Sequence, residues 1–135
     1  MNIENTHTLV ADFPQLYRIG IGSPWREAGS GFAFECGNGW FRLLHDLSGA
    51  IHDQAVREGE DPGGEEFVYA RQVKEKFGTL RFYLANGSPA MQDSIRAAEE
   101  RSARTCEMCG LAGTLLKDGC LKVRCDSCKS KGWIE

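Results

Sequence analysis

At 135 residues and a net charge of −3, the chain has the length of one domain, with room for a small appended unit. Its 41% hydrophobic and 26% charged residues are those of a globular protein in water. No apolar run approaches the roughly 20 residues of a membrane helix, and "MNIENTHTLVADF" has neither the basic region nor the apolar core of a secretory signal, so a cytoplasmic setting is expected.

Residues 1–38 read as mostly irregular. Leu9 to Tyr17 offers one or two helical turns around Pro14, and "IGIGSPWREAGSG" is a loop by its glycine, serine and proline content. Trp25 within it is expected to plug onto the core. From Gly39 to about Glu58 the spacing predicts a helix, because Trp40, Leu43, Leu44, Leu47, Ile51 and Ala55 fall on one stripe. Asn38 is the expected N-cap, and "REGEDPGGEE" ends the helix.

Two strands follow. Phe67 to Lys74 is the first, with Phe67, Tyr69 and Val73 expected on one face and Val68 and Ala70 on the other. Leu80 to Leu84 is the second, with Leu80, Phe82 and Leu84 opposite Arg81 and Tyr83. "EKFGT" joins them into an antiparallel hairpin, which needs helices to cover its apolar face. Ser88-Pro89 then starts a second helix, running to about Arg104, with Met91, Ile95, Ala98 and Ser102 along one edge.

The last thirty residues carry the most specific pattern. Cys106 and Cys109 form one Cys-x-x-Cys pair and Cys125 and Cys128 a second, fifteen residues apart. That is four-cysteine zinc spacing. Between the pairs, Asp118-Gly119 favours a tight turn between two short apolar runs, so the segment reads as a zinc ribbon. Four thiolates fill a tetrahedron and leave no open position, which makes one structural Zn2+ the expected cofactor. Disulfides or free thiols are the alternative. Cys120, just after the turn, is a rival ligand, with a small buried residue as the plainer reading. The expected fold class is therefore α+β: an antiparallel hairpin packed by two helices over residues 1–104, with a four-cysteine ribbon over residues 105–135.

Other motifs are weaker. His45-Asp46 and His52-Asp53 sit seven residues apart, about 10 Å of helical rise, too far to share one ion, so solvent-facing polar residues are expected there. The acidic loop lacks the ligand spacing of a calcium site, the glycines near Ile21 lack the Lys-Ser/Thr of a phosphate loop, and Cys36 has no base near it in sequence. No catalytic constellation stands out, and a non-enzymatic role is expected.

Two surfaces invite partners. On the hairpin, Lys74, Lys76 and Arg81 interleave with Phe77 and Tyr83, a mixture suited to a protein partner or to nucleic acid. On the ribbon, Lys117, Lys122, Arg124, Lys129 and Lys131 could meet phosphate. The charge is uneven: seven basic residues against four acids from Arg101 onward give +3, while the remainder, with 9 against 15, carries −6. The candidate contact residues are thus Lys74, Lys76, Phe77, Arg81, Tyr83, Lys122 and Arg124.

"FECGNGWFRLLHDLSGAI", "QVKEKFGTLRFYL" and "ARTCEMCGLAG" together resemble a group of small uncharacterised zinc-knuckle proteins encoded by proteobacterial phages and prophages. The resemblance covers about Phe34 to Cys128. The group's second knuckle often ends in Cys-x-x-His where this chain has Cys125 and Cys128, and it often has an aromatic near Cys120, which weighs against Cys120 as a ligand. The resemblance implies a phage protein in a bacterial host cell, a zinc knuckle, and no particular reaction. It also implies a role by binding a host or phage protein, host defence components among them.

Overall fold

A computed structural model describes residues 1–18, 33–117 and 121–129. In chain order the elements are α1 (Ile3–Asp12), β1 (Phe34–Glu35), a 3-10 turn (Asn38–Trp40), α2 (Phe41–Arg57), β2 (Tyr69–Lys76), β3 (Thr79–Ala85), α3 (Pro89–Ser102), β4 (Thr114–Leu116) and β5 (Lys122–Arg124). The chain is α+β, with a three-stranded mixed sheet in the order β1-β2-β3 and a separate β4-β5 pair.

The helices form where the apolar stripe demands. In α2, Leu43, Leu44, Leu47, Ile51 and Ala55 are buried, and in α3 so are Met91, Ile95, Ala98 and Ser102. The Ser88 hydroxyl accepts the Met91 N–H, and Pro89 opens α3 with the one residue that has no N–H to leave unpaired. The start of α2 differs from expectation. Asn38 lies in the 3-10 turn, and no side chain caps α2. Its amide oxygen instead accepts the Asn2 N–H at 2.6 Å, tying the chain's beginning to this corner.

Ile3 to Thr8, expected to be irregular, and Leu9 to Asp12, within the stretch offered as one or two helical turns, together form α1. Asn2 caps it, accepting the Asn5 N–H at 2.8 Å. Only Leu9 of α1 is buried, so no apolar stripe announced the helix. The turn that follows is anchored firmly. Leu16 and Tyr17 are fully buried, and the Leu16 carbonyl accepts the Ala70 N–H at 2.7 Å. Ser48 donates to the Leu44 carbonyl, so the Tyr17 phenol donates to Ser48, at 2.6 Å.

β2 and β3 pair antiparallel through the two-residue turn Phe77-Gly78, with Lys76 opposite Thr79. Both turn residues have positive φ, +54° and +90°, the requirement of a type I′ turn. The expected faces of β2 are wrong in one respect. A register shift between Ala70 and Gln72 inserts Arg71 as a bulge, so Ala70 and Val73 are both fully buried while Tyr69 is partly exposed. β1, two residues long, adds to β2 in parallel, with Phe34 beside Val73. Helices cover the face bearing Val73, Leu80 and Phe82. The other face carries the pairs Gln72–Tyr83 and Lys74–Arg81.

Trp25, Asp118-Gly119, Cys120, Lys131 and Trp133 lie outside the described residues. No helix among the described residues is long and apolar enough to cross a membrane.

Candidate metal centre

Each cysteine pair forms a tight backbone turn. In the first, the Gly110 N–H donates to the Cys106 carbonyl at 2.9 Å, with Gly110 at φ +85°. In the second, the N–H groups of Cys128 and Lys129 donate to the Cys125 carbonyl at 3.1 and 3.0 Å. The pairing of β4 with β5 (Thr114 opposite Arg124) brings the two turns together. The Glu107 N–H, donating to the Val123 carbonyl at 3.1 Å, fixes their separation.

The result is a cluster of four sulfurs, Cys106, Cys109, Cys125 and Cys128, all within 4.8 Å of one another. The Cys109 and Cys125 sulfurs are 3.5 Å apart. A disulfide needs about 2.05 Å, and all four cysteines are free thiols. A tetrahedral ion with about 2.3 Å bonds to sulfur sets neighbouring sulfurs roughly 3.8 Å apart, so the cluster fits a metal ion.

Electrostatics favour the same ligand class. Burial raises the Cys106 thiol, but N–H groups of Cys125, Cys109 and Met108 directed at its sulfur outweigh that and bring it down to about 7. Burial and the crowding sulfurs of Cys125, Cys109 and Cys106 push Cys128 up to about 12. A divalent ion bound there would take the place of the thiol protons.

The cluster is mounted on the α+β body by backbone contacts. The Gly39 N–H donates to the Glu107 carbonyl at 2.7 Å, and Trp40 Nε1 donates to the Thr105 carbonyl at 3.0 Å. A Cβ on Gly39 would lie 2.1 Å from the Cys106 oxygen, so only glycine fits. Glu107, between the first two cysteines, is 1% exposed and accepts the Gly37 N–H at 2.9 Å. Burial holds its carboxyl above the usual range, against the Gly37 bond.

Two expected contact residues belong to this mounting. Arg124 is 4% exposed, with Nη1 3.8 Å from Glu107 Oε1, so it is not a surface contact. Lys122 pairs with Glu75 at 2.6 Å, both side chains mostly buried, and so joins the β4-β5 unit to β2. Of the other basic residues of this segment, Lys129 lies 3.7 Å from Asp126 and Lys117 is exposed.

The hairpin residues gather as expected. Lys74 and Arg81 are cross-strand neighbours, Tyr83 is 44% exposed beside Gln72, and Phe77 is 65% exposed at the turn with Lys76 Nζ 5.5 Å from its ring centroid. The histidines do not converge. His45 bonds Asp12 at 2.8 Å, Asp46 pairs with Arg101 at 2.9 Å, and the His52 ring packs 5.5 Å from Phe67. His52 Nδ1 is buried, which corrects its expected solvent-facing position. Glu107, the buried anchor of the knuckle, was missed because an acid between two ligand cysteines looks in sequence like a solvated residue.

Comparison of the chain with protein-family models, with curated proteins and with solved structures finds no match.

Proposed function

We propose that the four cysteines hold one structural zinc ion in a zinc ribbon, and that the protein acts by binding another protein through the open face of its sheet, without catalysing a reaction. Four thiolates on a tetrahedral site suit zinc, and they leave no position for a substrate. The phage setting that the resemblance implies favours a host or phage protein as the partner, defence components included.

One observation carries the binding reading. Phe77 puts a large apolar ring 65% into solvent at a backbone position, φ +54°, that L-residues other than Asn, Asp and Gly resist. The residue is unfavourable there twice over, by strain and by exposure. Strain of this kind is characteristic of functional positions. Lys76 lies over its ring, and Lys74, Arg81 and Tyr83 continue along the same face of the hairpin, the aromatic and cationic mixture common at protein interfaces. The ribbon cations support a nucleic-acid reading less, since Lys122 and Arg124 are engaged inside.

The test is capture of a stoichiometric partner by the zinc-loaded protein, beside a Phe77→Asn/Tyr83→Ala variant. Loss of capture in the folded variant is expected. Equal capture by both proteins, or none by either, contradicts the reading.

A further inference from the structure

Between the start of α2, the end of α3 and the first cysteine turn lies a groove of about 490 Å³, within the size range of small-molecule sites. Arg42, Arg101 and Arg104 all line it, and among the described residues no Asp or Glu does. Arg101 is held by Asp46 at 2.9 Å. Arg42 and Arg104 form no ion pair among the described residues, although both are exposed. Such a concentration of like charge repels itself unless an anion enters. The floor is rigid, being backbone against backbone: a Cβ on Gly110 would stand 3.1 Å from the Gly39 oxygen. The Thr105 hydroxyl is also at the wall, donating to the Arg101 carbonyl at 2.7 Å. The four thiolates with a zinc ion would be doubly negative, but only Cys109 among them borders the groove, so its positive charge comes from Arg42 and Arg104, with Arg101 already balanced by Asp46.

We propose that this groove binds a phosphorylated small molecule, with Arg42 and Arg104 gripping the phosphate and Arg101 beside them. Guanidinium forks match phosphate oxygens in pairs. A concave site of this volume suits one compact ligand better than an extended chain. The inference is independent of the protein-binding reading.

The test titrates the full-length, metal-loaded protein with inorganic pyrophosphate, with adenosine diphosphate and with a short oligothymidylate, following arginine Nε–H resonances by NMR. Pyrophosphate and adenosine diphosphate are expected to compete for one saturable site. Arg42→Ala and Arg104→Ala should each weaken binding roughly tenfold, and Arg104→Lys should weaken it less, because charge survives without the fork. Lys129→Ala should change nothing. The proposal is overturned if neither small anion saturates, if only the oligonucleotide binds, or if Lys129→Ala weakens binding as much as the arginine variants do. It is equally overturned if the arginine variants lose metal while pyrophosphate affinity is unchanged, since the guanidiniums would then serve to balance the thiolates.

Discussion

At Phe77, backbone strain and an exposed ring stand against the proposed binding role. Asparagine tolerates positive φ far better than phenylalanine, and it removes an exposed apolar ring. Phe77→Asn is therefore expected to raise stability by about 1 kcal/mol in urea unfolding, while partner capture falls. A decrease in stability would show that the ring packs against something that matters to the fold. Tyr17 is the opposite case, a polar atom committed wholly to the core. Burial pushes its phenol well above the ordinary range, with the Ser48 hydrogen bond opposing and Cys36 adding. Unfolded, a tyrosine ionises near pH 10, whereas the folded phenol is still protonated there. The stability this contributes is complete below about pH 10 and is lost as pH rises through the folded range. Tyr17→Phe should cost about 1 kcal/mol at neutral pH and flatten the alkaline part of the stability curve. An unchanged alkaline slope in the variant would assign that loss to other groups.

At the scale of elements, two glycines give opposite expectations. Gly39→Ala drives a methyl into the Cys106 carbonyl at 2.1 Å, where backbone meets backbone and neither side can yield. A loss of about 3 kcal/mol is expected. Gly49, inside α2, would place its methyl 3.8 Å from the Phe13 ring, an ordinary contact. Gly49→Ala should stabilise by about 0.5–1 kcal/mol. Matching effects in the two variants would contradict the docking geometry. What the chain's own pattern revealed divides along the same lines. The stripes of α2 and α3 and the pairing of β2 with β3 were legible, because burial there repeats at a helical or strand period. α1 was not, since only Leu9 of it is buried. Nor was β1, whose two residues are too few to show a period. The Arg71 bulge escaped because an inserted residue leaves composition unchanged while moving Ala70 and Val73 to one face. For the site, four cysteine positions declared themselves by spacing alone. The burial of Arg124 and the Lys122–Glu75 pair did not, because both depend on where β5 lands against β2.

In the molecule as a whole, the four sulfurs hold a unit that has little core of its own. Among its described residues the β4-β5 segment buries Val123 and three of the cysteines as its apolar side chains, too little core for those residues to fold unaided. Its position depends on Gly39, Trp40, Glu75 and Glu107, so loss of the cluster should release those contacts as well. Metal binding and folding are then one equilibrium for residues 105–129, and Cys106→Ser or Cys125→Ser should remove both together. The most direct measurement is native mass spectrometry of the protein purified without added metal, before and after a strong chelator, with circular dichroism on the same samples. One zinc ion per chain, lost to the chelator together with the structure of the C-terminal unit, is the expected result. A metal-free mass, with free or oxidised cysteines and a fold indifferent to chelation, would contradict it.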